Sequence, residues 1–276
     1  MSDKDLNQKS FLYRPTFFFE TDYKEVSIFS LAIWTNGSAF KTSDYQKEGL
    51  PIIKIAEIKN GITNQTKFAN VLKKEKFLIK KGDILFSWSG QPETSIDVTL
   101  FSNNKGLLNQ HIFRVDPLEK SITRNYFFYL MKYLKGNFIE KAKNKQTTGL
   151  GHVTKSDLEK IFVRFPSNEN VQDSISYILK TIDKKIELLK DQQETIEEIT
   201  DTLYKSWFID FNPVKIRNKG FQQELPSEIN DLFPNYFVNS ELGEIPSGWS
   251  ICTIGDLLDL KTDSIKPEQS PNETFS

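Results

Sequence analysis

Apolar and polar positions alternate in short runs through the first 166 residues, then change to a longer period. PIIKIAEI (51–58), KFLIKK (76–81), DILFSW (83–88), HIFRV (111–115) and IFVRF (161–165) are rich in Ile, Val and Phe. Gly, Asn or Pro bound them, so they predict strands. ITRNYFFYLMKYL (122–134) and KSDLEKI (155–161) predict helices, the second with Ser156 as its N-cap. The front of the chain reads as a mixed α+β domain with a mixed sheet.

After Pro166 the pattern changes. Ile175, Ile182, Leu189, Ile196 and Leu203 recur every seven residues, beside a second row of Val171, Ile178, Lys185, Gln192 and Ile199. These are the two core positions of a heptad, with polar breaks in the second row at Lys185 and Gln192. No Gly or Pro interrupts 168–206, so a helix of roughly 55–60 Å is predicted at 1.5 Å per residue. A small domain cannot bury a stripe that long. Ile175, Ile178, Ile182, Leu189, Ile196, Ile199 and Leu203 therefore predict a helix–helix interface with another long helix, from this chain or another.

The run LYKSWFIDF (203–211) and Asn212-Pro213-Val214 close the helix, and a linker follows with Gly220, Pro226 and Pro234. ELGEIPSGWSICTIGDLLDL (241–260) has a turn, Trp249 and an apolar stretch, and reads as the opening of a further domain before the sequence turns polar. The expected division is 1–166, 167–211, 212–240 and 241–276.

Charge sharpens this division. Residues 1–166 hold 26 Lys plus Arg against 17 Asp plus Glu, a net of +9, and the remaining 110 hold 10 against 20, a net of −10. The whole chain sums to −1. A basic front suits a polyanionic partner. A hydrophobic fraction of 38% with 22 Phe supports a sizeable core and argues against disorder. Cys252 is the one cysteine, so no internal disulfide forms, which fits a reducing compartment. MSDKDLNQKS is polar and carries acids, unlike a signal peptide, and no apolar run approaches the roughly 20 residues that span a bilayer. The expectation is a soluble, cytoplasmic protein with no membrane contact.

The catalytic inventory is thin. His111 and His152 lie far apart, and no Walker loop, HExxH or GxSxG is present. GLG at 149–151 lacks the third glycine of a dinucleotide fingerprint. Glu57-Ile58-Lys59, with Asp44 thirteen residues upstream, has the spacing of a metal-dependent nuclease site, though Glu57 equally faces solvent on a strand. Asn212-Pro213-Val214 lacks the second Pro of the adenine methyltransferase motif. No metal or cofactor is expected on this chain.

What remains is a reading surface. Ser87, Ser89, Gln91 and Thr94 lie in SWSGQPETS (87–95), and Asn109, Gln110 and His111 open the strand in LLNQHIFRV (107–115). Lys143, Lys145, Gln146, Thr147, Thr148 and His152 lie in KNKQTTGLGHVT (143–154), around glycines that allow close backbone approach. Gln and Asn match adenine edges, Lys and Arg match guanine and phosphate, and Ser and Thr serve either. Of the three polar residues at 109–111, at least one is expected to brace a loop, because buried polar groups are usually paired inside the protein. Trp88 is expected in the core. Lys73, Lys74, Lys141 and Lys143 are candidates for phosphate contacts.

KKGDILFSWSGQPETS followed by GLLNQHIFRV resembles the core of a target recognition domain. GLGHVTKSDLEKIFVRFPSNENVQDSISYILKTIDKKIELL, TLYKSWFIDFNPVK and LFPNYFVNSELGEIPSGWSICTIGDL continue the likeness in order. Together they resemble the specificity subunit of type I restriction–modification systems. The resemblance implies a non-catalytic subunit whose recognition domains each read one half of a split site on double-stranded DNA. It implies long helices that pack as an antiparallel coiled coil and hold the modification and restriction subunits. S-adenosylmethionine, ATP and Mg would sit on those partners. By that pattern the chain carries one complete recognition domain and the start of a second, a half-length or truncated form. A twofold homodimer would then partner the heptad stripe. A stand-alone nuclease using Asp44, Glu57 and Lys59, or a remnant that no longer specifies a site, are the alternative readings.

Overall fold

The computed structural model of the chain describes residues 22–70, 75–146, 149–220 and 226–258. Two compact units divide it, residues 1–185 and 186–276.

The front unit begins with β1 (Tyr23–Ser27), β2 (Ala32–Asn36), β3 (Leu50–Ile53), α1 (Ile55–Asn60), β4 (Phe68–Ala69), β5 (Leu78–Lys80) and β6 (Ile84–Ser87). There follow β7 (Ser89–Gly90), α2 (Pro92–Ser95), β8 (Asp97–Leu100), β9 (Lys105–Leu108) and β10 (Ile112–Pro117). Then come α3 (Arg124–Tyr133), α4 (Lys135–Lys143), β11 (Gly151–His152), α5 (Lys155–Glu159), β12 (Phe162–Pro166) and the long α6 (Glu169–Tyr204). One four-stranded sheet, in the order β2-β10-β6-β8, is antiparallel throughout. The other, β4-β3-β9-β5, is mixed, because β3 and β9 run parallel. β1 pairs with β12, and β7 with β11. This is the mixed α+β domain and long helix that the sequence predicts.

Strand β6 joins two cores. Ile84 and Phe86 face one that also takes Phe127 and Met131 of α3 and Phe138 of α4, with the Phe86 and Phe138 rings 4.8 Å apart. Leu85 faces the other way, into a core with Ile53, Ile79, Leu108 and Ile112. All four residues of β6 are buried, which is why DILFSW reads as a continuous apolar run rather than an alternation.

Several elements differ from expectation. PIIKIAEI is not one strand: it stops at Ile53 and turns into α1. Glu57 Oε2 accepts from the Lys54 amide at 3.1 Å, capping the helix, and Ile55 and Ile58, three apart, both pack on the second core. The N-cap of α5 is Thr154, not Ser156. Asp157 accepts from the Thr154 amide at 2.7 Å and Thr154 Oγ1 accepts from the Asp157 amide at 3.3 Å. The sequence pattern predicts none of β1, β2, β4, β7, α2, β8, β9, α4 and β11. Most are too short to show a period.

The first turns of α6 fall in the front unit, which runs to Lys185. Gln172 and Ser176 are buried there. Farther along, the apolar rows are open: Ile178 is 59% exposed, Leu189 50% and Ile196 62%.

In the rear unit α6 ends in a π-helical turn, Lys205–Ile209. Phe211, at φ 50°, bends the chain into α7 (Asn212–Asn218), followed by α8 (Ser227–Asn230), the hairpin β13 (Phe237–Ser240) and β14 (Gly243–Pro246), and α9 (Ile254–Leu257). Aromatic rings hold it together: Trp207 meets Phe233 at 5.7 Å, and Phe211 meets Trp249 at 5.4 Å. Among the described residues no helix is long and apolar enough to cross a membrane.

Candidate nucleic-acid interface

Residues from three stretches far apart in sequence, 87–95, 109–111 and 151–153, meet where β6 ends and β10 begins. Trp88 is the junction. Its amide donates to the His111 carbonyl at 3.2 Å, and its carbonyl accepts from the Val153 amide at 2.8 Å. The β7–β11 pair then sets Ser89 opposite His152. The half-buried Trp88 ring lies 5.8 Å from the His111 ring and 5.7 Å from Phe113. Trp88 is therefore only partly the core residue that the sequence predicts, and its outer edge belongs to the site.

Around this junction Gln91, Thr94, Gln110, His111, Lys143, Gln146 and His152 are exposed, and Ser89 is half-buried. Gln110 Nε2 lies 3.2 Å from His111 Nε2. Carboxamide and imidazole each carry donor and acceptor capacity, so the pair presents both kinds of group side by side. Thr94 Oγ1 donates to Gln91 Oε1 at 3.3 Å. Lys143 binds Glu93 at 2.6 Å, tying the end of α4 to α2. That hydrogen bond, with the charge of Lys143 behind it, holds the Glu93 carboxyl below its ordinary pKa.

Other candidates turn inward. Ser87 is 2% exposed. Its hydroxyl donates to the Ser95 carbonyl at 2.5 Å and accepts from the Asp97 amide at 3.0 Å. It pins the loop and is not free to meet a base. Asn109 is 8% exposed, and its backbone is laced to Ile53 and Ile112, so it braces the turn that presents Gln110 and His111. Lys145 is also structural: its ammonium donates to Asp157 at 2.5 Å and to Thr154 Oγ1 at 3.0 Å. Burial raises the Asp157 pKa, but the bonds from Lys145 and Thr154 outweigh it and hold the carboxyl below its usual value. Gly151 lets protein backbone approach, not a ligand, since a Cβ there would lie 2.3 Å from the Ala142 carbonyl oxygen. Thr147, Thr148, Lys73 and Lys74 lie outside the described residues.

The spacing that suggested a nuclease dissolves in the same way. Glu57 has both oxygens engaged, one capping α1 on the Lys54 amide and the other accepting from Thr66 Oγ1 at 3.2 Å. Asp44 caps its own turn by accepting from the Lys41 amide at 2.8 Å. Among the described residues no three His, Cys, Asp or Glu side chains are grouped to hold a metal.

Residues 20–198 match the family model described as the type I restriction modification DNA specificity domain. The specificity subunit of the type I restriction enzyme MjaVIII of Methanocaldococcus jannaschii is 27% identical over 79% of this chain and 45% of its own length. That of HindI from Haemophilus influenzae is 25% identical over 57% of this chain and 34% of its own. The chain spans about half or less of the length of the curated relatives that it matches. The crystal structure of a type I restriction–modification S subunit from M. genitalium shares the fold, with a TM-score of 0.53 and 19% identity over 70% of this chain and 48% of that one.

Proposed function

The chain belongs to the type I restriction modification DNA specificity domain family, and on that premise we propose that its front unit reads one half of a bipartite site on double-stranded DNA. One observation carries this: Gln91, Gln110, His111 and His152 converge, exposed, around Trp88 on a unit whose first 166 residues carry a net +9. Carboxamides and imidazoles at such an edge suit base contacts in a major groove, and the surrounding lysines suit phosphate.

In this reading the chain chooses the site and performs no chemistry. Modification subunits supply S-adenosylmethionine and the adenine pocket, since the target base must leave the stack to be methylated. Restriction subunits supply ATP and Mg. Both dock through the helical region. The open stripe of α6, from Ile175 to Leu203, takes the same stripe of a second copy, related by a twofold axis. Two identical recognition units then read an interrupted palindrome, its spacing set by helix length.

The test is a methylation map. The chain is co-expressed with its modification subunit in a methylation-free host, and modified adenine is located by sequencing. An interrupted palindrome is the expected result. An asymmetric split site would assign the second reading unit to another chain. A well-folded complex that modifies nothing would overturn the reading.

A further inference from the structure

Asn36, the exposed last residue of β2, was not singled out by the sequence. An exposed carboxamide is ordinarily free to exchange its oxygen and nitrogen by rotation. Here it is not. The Trp88 indole N–H, which can only donate, lies 3.1 Å from Asn36 Oδ1. That bond fixes Oδ1 toward the indole and leaves the Nδ2 amino group with no acceptor among the described residues. Oδ1 keeps a second lone pair.

The backbone beneath is equally constrained. The Gly37 amide donates to the Ile112 carbonyl at 3.1 Å, and the Ser38 amide to Leu108 at 2.9 Å. The Gln110 amide donates back to Ser38 at 3.0 Å. The chain passes so close that a Cβ on Gly37 would stand 2.0 Å from the Asn109 carbonyl oxygen. Asn36 therefore stands on a laced double strand, beside the turn that carries Gln110 and His111, with its donor and acceptor already oriented. Such preorganisation removes much of the ordering cost of a contact.

Building on the reading of this edge as the DNA-facing one, we propose that Asn36 is a specificity-determining residue that pairs with the major-groove edge of an adenine, with Trp88 as its positioning residue. Nδ2 donates to adenine N7, and the free lone pair of Oδ1 accepts from the N6 amino group. Guanine presents acceptors at both positions, so Oδ1 would face O6 and half the pairing would be lost. The oriented carboxamide thus favours adenine on geometry alone.

The experiment is selection from random-sequence duplex DNA by the full chain in complex with its modification subunit, run on wild type, Asn36→Asp, Asn36→Ala and Trp88→Phe. Asn36→Asp keeps the oxygen that accepts from the indole and loses the outward donor. Asn36→Ala removes the group without adding charge. Both are expected to lose adenine preference at one position of the motif by about 10- to 100-fold. The remaining positions and the thermal midpoint should be retained. Trp88→Phe keeps a ring in the stack and should weaken the preference at that same position. A motif that both Asn36 variants leave intact would overturn the proposal alone. So would a loss spread evenly over all sequences, which marks a phosphate contact. A wild-type complex that selects no motif would overturn the DNA reading, and this assignment with it.

Discussion

The side-chain oxygen of Gln172 accepts a hydrogen bond from the Thr123 amide at 2.7 Å, so a residue of the long helix α6 satisfies the N-terminus of α3. Its other end is also used, Nε2 donating to the Pro166 carbonyl at 2.8 Å. Gln172 is fully buried. No heptad rule predicts a glutamine there, since a helix starting in solvent would gain nothing from it. Gln172→Ala should leave the half-buried Thr123 amide and the buried Pro166 carbonyl without this partner and destabilise the front unit by about 1–3 kcal/mol. Urea unfolding followed by far-UV circular dichroism would measure this.

Gly37 gives a second, steric prediction. A methyl group at this position would collide with the backbone of Leu108 and Asn109. Gly37→Ala should cost about 1–3 kcal/mol, the range of overpacked sites, because neither chain can move without breaking the lacing hydrogen bonds. It should also blur DNA selection, because Asn36, Gln110 and His111 all stand on that lacing. Comparing melting temperature with selectivity separates the two effects.

Lys143 and Lys145 look equivalent in KNKQTTGLGHVT, yet they have different neighbours. Lys143 meets an exposed carboxylate, Glu93, on the surface, whereas Lys145 reaches the nearly buried Asp157. Lys143→Gln should therefore leave stability within about 0.5 kcal/mol, as for surface changes generally. If Lys143 reaches phosphate, it should also flatten the salt dependence of DNA binding by about one unit of slope. Lys145→Gln should lower the melting temperature whatever the DNA. Titrating binding against salt for both variants makes the comparison.

Asp157 adds a pH dependence. Its folded pKa lies below the ordinary value. Above about pH 4 both folded and unfolded chains carry the ionised form, and the stabilisation is complete. As pH falls below that, the unfolded chain takes up its proton first, and the contribution is lost progressively through the folded pKa. Wild type should thus lose more stability between pH 5 and pH 3 than Asp157→Asn, which starts lower. Melting curves across that range decide it.

Much of this was legible in the sequence because it is one-dimensional. The heptad rows from Ile175 to Leu203 need no tertiary information, and α6 forms where they predict it. β7 and β11 could not be read, because each is two residues long and exists only through the pairing of Ser89 with His152. The place of Ser87 is hidden for a related reason: a serine before a loop resembles a reader until its hydroxyl is seen closing onto Ser95 and Asp97. Asn36 was invisible because its meaning comes from an indole 52 residues away. Local pattern carried the scaffold, and long-range hydrogen bonds decide which polar side chains remain free.

The helix stripe supplies the last prediction. Leu189 and Ile196 are half or more exposed, and neighbouring Ile182 and Ile199 are 51% and 53% exposed. Each such side chain gains about 1.5–3 kcal/mol when fully buried, so a paired stripe of seven would offset the entropy of association many times more readily than scattered contacts could. Lys185 and Gln192 interrupt the second row and would fix the register of that pairing. A glutamate at Leu189 or Ile196 would have to be buried without a partner if the stripe is paired, and would simply be solvated if it is not. Sedimentation of wild type and of Leu189→Glu/Ile196→Glu at micromolar concentration therefore separates the two cases. The expected result is a dimer that becomes a monomer with the front unit's melting temperature unchanged. A wild type that sediments as a monomer, alone and with its modification subunit, would mean that the stripe takes a different helix.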